Sequence, residues 1–427
     1  MIKTTFNVCL FLAFLLLVSC AGEEPEATPI ATDTVEAVVD EVAQVDTATA
    51  TSEPSPTSPP PTETNTPEPT ETATSEPTAT PTVKPTATTR PTATPKPIVL
   101  RTQDEIDEAQ RSRLTGELIE DEEVLERRPI ICKVSNAPAK YTRPQSGLGS
   151  ADWVFEHTAE GATRFSALFY SKMPEYVAPI RSARLIDTYL VPMFDSALCF
   201  SGASVGVSER LERSTFRARL MRSYYDGYAR VERGDVPFEH TMVADIGPFW
   251  EWMEEWEHNR NPKSETHMMF SELPPDGGDS AEHARIQYED WTVVEWDWDA
   301  ELGRWIRTAD DVVATDATTD EEITAANVVI LFASHYFDET ICDWQLEEVP
   351  QRTSDCLVGG LYPDLADDGD YVLLRDGQQF IGRWEGDGKN LLVFNDADGE
   401  QIPFQIGNTW VQVVPYSYYE TDLIQVE

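Results

Sequence analysis

The sequence predicts an α+β protein, with a mixed α/β lobe over residues 128–275 and a mainly antiparallel β domain over 286–416. Three observations carry this reading. Up to about residue 275, strand-like apolar runs alternate with stretches of helical periodicity. From residue 286 the texture changes to short strands, among them WTVVEWDWD, NVVILFAS, QQFIGRWEG and TWVQVVP, separated by Asp/Gly turns such as Asp376-Gly377 and Asp398-Gly399. Such spacing is the signature of hairpins. Charge divides at nearly the same point: residues 98–260 hold 20 Lys and Arg against 27 Asp and Glu, whereas 261–427 hold 8 against 36.

The chain opens with Lys3, an apolar run from Val8 to Val18, and then Leu17-Val18-Ser19-Cys20. A positive start, a hydrophobic segment too short for a comfortable span and a small-residue site mark residues 1–20 as an export signal. Cysteine directly after Leu-Val-Ser is similar to a lipobox, so Cys20 is expected to carry lipid and to hold the protein at the membrane. More than one acyl chain makes such an anchor stable. Residues 21–97 form a Thr/Pro-rich stalk, with TPEPTETATSEPTATPT as a sample. This composition cannot bury enough apolar surface to offset chain entropy, so disorder is expected. Extended at ~3.1 Å per residue, the stalk reaches at most ~240 Å, enough to carry a domain through a cell wall.

Residues 98–127 are expected as a helical lead-in, with a helix over 102–126 that buries Ile106, Ala109, Leu114, Leu118 and Ile119. Pro129 ends it, and strands follow at 130–134, 153–156 and 163–171. In the last of these Phe165, Ala167 and Phe169 share a face by period two. A helix is expected from Ser182 to Phe194, then a strand at 197–200, a loop SGASVG, a helix from Val207 to Arg213 and another from Phe249 to Glu257. The SGASVG loop lacks the Gly-Lys-Ser/Thr of a phosphate loop and the dinucleotide fingerprint, so no cofactor is expected.

The stretch that concentrates chemistry runs from Arg143 to Arg184. It places Asp152, Glu156, His157, Glu160, Arg164, Arg181 and Arg184 among Trp153, Phe155, Phe165, Leu168, Phe169 and Tyr170. Charges this dense cannot all be buried unpaired, so they pair with one another, rim a solvated mouth or meet a ligand. The segments RPIICKVSN at 128–136, RPQSGLGSADWVFE at 143–156, EGATRF at 160–165 and PIRSAR at 179–184 belong together with NVVIL at 327–331, DGQQFIGRW at 376–384 and GNTWVQVVP at 407–415. In this order, over roughly 125–415, the chain resembles the YerB-like bacterial lipoproteins, a two-part domain of unknown function (family 3048). The resemblance implies an extracytoplasmic, membrane-anchored envelope lipoprotein and supplies no activity.

Two readings of the central stretch are weighed. In the first, Arg143, Arg164, Arg181 and Arg184 bind an anionic small molecule, a cell-wall fragment or a protein partner, since guanidinium forks grip carboxylate or phosphate in bidentate fashion; Glu156, Glu160 and His240 orient them. In the second, the protein is an envelope hydrolase of glycan or peptide with Glu156, Glu160 or His240 in catalysis. A purely architectural network of the two glutamates with Arg164, Arg181 and Arg184 is the plain alternative to both. Ser146, Ser182 and Ser201 sit in no nucleophile motif, and the noncatalytic reading is preferred. Cys132 and Cys199 read as small buried hydrophobes. Cys342 and Cys356 flank a loop in an exported chain and are expected to form a disulfide. No cysteine–histidine spacing suggests zinc, and the aspartates at 364–370 and 395–398 fit turns better than calcium loops, so no metal is expected. A net charge of −44 argues against nucleic acid as a partner.

Overall fold

The structure, a computed structural model, describes residues 96–427 except 160, 233, 289–291 and 339–360. The expected signal, Cys20, most of the stalk, Glu160 and the Cys342–Cys356 pair therefore lie outside the described residues.

Sequence patterning translates directly into the central strands. Ile130–Ser135 (β1) is rich in β-branched residues, and all six of its positions are buried, which requires cover on both faces of the sheet. Trp153–Ala159 (β2) and Ala162–Phe169 (β3) form an antiparallel hairpin, and β3 pairs antiparallel with β1. Ala197–Cys199 (β4) continues the sheet parallel to β1, and Leu220–Met221 (β5) lies parallel beyond it.

The acidic half supplies the rest of the same sheet. Asp279–Ser280 (β6) is an edge pair; His283–Tyr288 (β7), Thr292–Asp299 (β8) and Arg304–Ala309 (β9) belong to a second sheet. Asn327–Ala333 (β10), Asp368–Arg375 (β11), Gln378–Glu385 (β12) and Thr409–Pro415 (β13) return to the first. Among the described residues this first sheet has eleven strands, in the order β6-β12-β11-β10-β13-β2-β3-β1-β4-β5, with Val393–Asn395 added beside β12. The join between the two sequence regions is β13, which pairs parallel with β10 on one side and parallel with β2 on the other.

Each face of the large sheet carries its own apolar core. On one face Trp153, Phe155, Leu168 and Leu373 pack with Leu190, Phe194, Val207 and Leu211 from Asp187–Met193 and Val205–Glu212. On the other, Val154, Phe165, Val328 and Trp410 pack against Ile286, Val294, Trp296 and Trp305 of the second sheet and against Phe249 and Met253 of helix Gly247–Glu255. The α+β class expected from the sequence is the class observed, with helices few and antiparallel pairing prevailing.

Two expected helices differ. The lead-in is helical only over Gln103–Glu108 (α1), capped by Thr102 and Glu105, and Glu122–Glu126 (α2), capped by Asp121. Between them Gln110 (φ 52°) and Gly116 (φ 68°) turn the chain left-handed, and the Leu114 carbonyl accepts a hydrogen bond from the buried Trp153 indole at 2.7 Å. The helix expected from Ser182 begins at Asp187 (α3, Asp187–Met193). Residues 181–184 are held in extended fashion instead: Arg181 N–H donates to the Lys133 carbonyl at 2.9 Å, and Ala183 N–H to that of Gly202 at 3.0 Å. The turns rich in aspartate are self-capped, as Asp396 shows by accepting from the amides of Asp398 and Glu400.

Candidate functional site

Because side chains alternate across a strand, the polar residues of β1, β2 and β3 divide into two clusters on opposite faces. Glu156 faces the second sheet with Asn136 and Thr163. Its carboxylate is fully buried and fully partnered: Oε1 accepts from Thr163 Oγ1 (2.7 Å) and Asn136 Nδ2 (3.1 Å), and Oε2 pairs with Arg307 Nη2 at 2.8 Å. Arg307 comes from β9, and its guanidinium also lies over the Phe165 and Trp410 rings. The partner of Glu156 is thus Arg307, in place of the Arg164, Arg181 and Arg184 expected from sequence proximity.

On the other face stands a group that the sequence reading passed over. Lys133 is fully buried, and its ammonium has three acceptors for its three N–H bonds: Asp187 Oδ1 at 2.9 Å, His157 Nε2 at 3.0 Å and Ser166 Oγ. His157 Nδ1–H donates to the Thr158 carbonyl at 3.1 Å, which leaves Nε2 as the acceptor for lysine. Burial pushes the Lys133 ammonium down to about 8, opposed by the Asp187 carboxylate. Burial and the adjacent lysine hold His157 neutral, well below its usual range. Arg184 is also here: its backbone N–H donates to Asp187 Oδ2 at 2.7 Å, and burial lowers its guanidinium to about 10.

At the end of the β2–β3 hairpin these faces meet a cavity of about 390 Å³, whose lining includes Arg143, Arg164, Arg181, Asn136, Thr163 and Asp310. Arg143 is positioned by Asn136 Oδ1 at 3.1 Å and Asp310 at 2.6 Å. Arg164 reaches the Ser182 carbonyl at 3.3 Å; burial first, and then the neighbouring Arg181 guanidinium, lower it to about 9. Arg181 donates from Nη1 to the Glu239 carbonyl at 3.2 Å, while its Nε is buried without a hydrogen-bond partner. His240 belongs to the same short turn, Phe238–His240, and stacks on Tyr141 with centroids 6.0 Å apart.

The structure thus gathers Arg143, Arg164 and Arg181 at one cavity, holds His240 in the turn that Arg181 reaches and leaves Arg184 with the lysine cluster. Glu156 lies beneath the cavity floor, linked to it through Asn136 and Thr163. Lys133 had one sequence signal, a lone charge in the apolar run IICKV. Arg307 had none. Among the described residues no group of three or more His, Cys, Asp or Glu is arranged to hold a metal, and Cys132 and Cys199 are free thiols buried side by side on β1 and β4.

The models of the protein of unknown function DUF3048 match as an N-terminal domain over residues 114–256 and a C-terminal domain over 284–411. The chain belongs to the DUF3048 family. A relative, "Putative lipoprotein YerB" of Bacillus subtilis (strain 168), is 31% identical over 313 residues, 71% of this chain and 86% of the relative. The crystal structure of the YerB protein from Bacillus subtilis superposes with a TM-score of 0.60 at 28% identity, covering 74% of this chain and 99% of that one. Among the described residues of this DUF3048 chain no helix is long and apolar enough to cross a membrane.

Proposed function

We propose that this DUF3048 protein is a lipoprotein tethered outside the cell membrane through Cys20, and that its arginine cavity binds an anionic group of a small molecule, cell-wall fragment or protein partner. The lipobox-like start and the relationship to a protein named as a lipoprotein support the first part. One observation carries the second: three guanidinium groups converge on a cavity where, among the described residues, the nearby carboxylates Asp310 and Glu156 are engaged by Arg143 and Arg307. Engagement of Glu156 also favours binding over acid/base hydrolysis, because both its oxygens are already partnered and its side chain is fully buried, out of reach of a substrate. In this proposal the Phe238–His240 turn orients Arg181. Residues 128–275 and 286–416 remain the two sequence modules.

Thermal unfolding of the full chain in detergent, with and without inorganic phosphate or soluble muropeptides, tests the reading. A ligand of the native state raises the melting temperature. Arg181→Ala is expected to melt close to wild type, since it strands no carboxylate, and to lose the ligand-induced rise. Arg307→Ala should instead cost roughly 3–5 kcal/mol by leaving Glu156 buried and unpaired. A strongly destabilised Arg181→Ala with an intact ligand response would overturn the proposal and leave the corner as architecture.

A further inference from the structure

A larger cavity, about 720 Å³, is lined by Thr188, Tyr189 and Pro192 of α3 and shares no lining residue with the arginine cavity. It falls within the range of small-ligand sites. Among the described residues its walls carry four cations, Arg210, Arg219, Arg260 and Lys389, against two carboxylates, Asp195 and Asp338, of which Asp338 pairs with Arg210, in a chain with net charge −44. The surplus is sharpest at Asp195. This single buried carboxylate is shared by Arg128, Arg219 (2.7 Å) and Arg260 (2.9 Å). Two carboxylate oxygens cannot satisfy three five-donor forks. Arg128 spends its other donors on the backbone, including the His258 carbonyl at 2.8 Å. Arg219 and Arg260 are the two that face the cavity. Burial first, and then the adjacent Arg128, push the Arg219 guanidinium down to about 10, against the opposing pull of Asp195.

Across the cavity stand two tyrosines. Tyr189 and Tyr362 stack with centroids 6.1 Å apart and planes inclined by 30°. Gly388 lies against Tyr189 at φ 70°, where a Cβ would come within 2.9 Å of the ring. The turn can press this closely on the ring only with glycine there, and it brings the next residue, Lys389, to the cavity wall. Asp387 is consumed by that same turn, accepting from the amides of Lys389 and Asn390.

We infer that this cavity is a second ligand site, for a sugar-sized ring bearing a carboxylate or a phosphate, with the tyrosine pair as the platform for the ring and Arg219, Arg260 and Lys389 as the anion contacts. Aromatic faces supply broad apolar contact and guanidinium forks supply directed charge-assisted hydrogen bonds. The site is independent of the arginine cavity at Arg164 and Arg181.

Calorimetric titration of the full chain with glucuronate, glucose 6-phosphate, glucose and inorganic phosphate tests the inference. At least one acid sugar should bind about tenfold or more tightly than both glucose and phosphate. Tyr362→Ala and Lys389→Ala should each weaken it about fivefold or more, while Arg181→Ala leaves it unchanged. Arg219→Gln is less decisive because it loosens the Asp195 knot, whereas Lys389 is exposed and its truncation leaves the fold intact. Equal affinity for glucose would remove the role of charge. Equal affinity for phosphate, weakened by Lys389→Ala and kept in Arg181→Ala, would remove the platform. Absence of acid-sugar binding, or its loss in Arg181→Ala with retention in Lys389→Ala, would overturn the site.

Discussion

At the scale of single residues, His157 is the group whose protonation the fold resists most plainly. Its Nε2 accepts from the Lys133 ammonium, and Arg164 and Arg184 add positive charge around it. The folded-state value is depressed, while in the unfolded chain the ring titrates near 6.5. Between those values the unfolded state binds more protons, so stability is complete above about 6.5 and falls as pH drops toward the folded value. One such group contributes a slope of about 1.4 kcal/mol per pH unit. Asp152 has the opposite sign: burial raises it to about 6, so the folded state takes up its proton first and acidification from about 6 down to the ordinary carboxylate value is stabilising. A variant comparison separates the two. His157→Gln should flatten the fall in urea-derived stability between pH 6.5 and 5 by about 1 kcal/mol per unit, with the Asp152 contribution common to both proteins. An unchanged slope would mean that His157 is charged in the folded protein.

Among elements, the lead-in is where local sequence and packing disagree most. Its charge pattern and apolar spacing suit a continuous helix, yet Gly116 closes a left-handed turn over the Phe270 ring. A Cβ at that position would fall 2.6 Å from the ring carbon, so Gly116→Ala should destabilise by roughly 1–3 kcal/mol, read as a lowered urea midpoint at unchanged m-value. If the variant were instead stabilised, as helix propensity alone would suggest, the turn would not be the state populated in solution. The strands were legible because period-two alternation survives in β7 and β9, where one face is half exposed, and because β-branched runs mark β1 and β10. The site was legible in part. Three of its arginines announced themselves by density of charge between aromatic runs. Arg307 could not, since 151 residues separate it from Glu156 and only the packing of the second sheet on the first brings them together. The start of α3 was misplaced for a related reason: the extended backbone of 181–184 is fixed by pairing with Lys133 and Gly202, and Asp187, not Ser182, receives the amide that opens the helix.

For the whole molecule, the telling feature is the position of β13. It fills the slot between β10 and β2 and is parallel to both, so without it the sheet is two separate pieces with facing unpaired edges. A chain ended at Gly407 should therefore lose cooperative unfolding, become sensitive to protease across both halves and associate through the exposed edges; circular dichroism in urea and limited proteolysis read this out. A truncated chain that still unfolds in one sharp transition would show that the halves hold together through the face-to-face core alone. There is also a matter of timing. A polypeptide that crosses a membrane from its N-terminus delivers β2 and β10 to the far side well before residues 409–415 follow, and a strand that must enter between two others cannot do so in advance of its own arrival. The keystone comes last. Until then the edges of β2 and β10 that it will cover stand unpaired, so premature closure of β2 on β10, strand to strand, is the error that the order of emergence invites. Under the proposed export, the vulnerable interval falls outside the membrane, where help from folding factors in the envelope would count for more than help during synthesis.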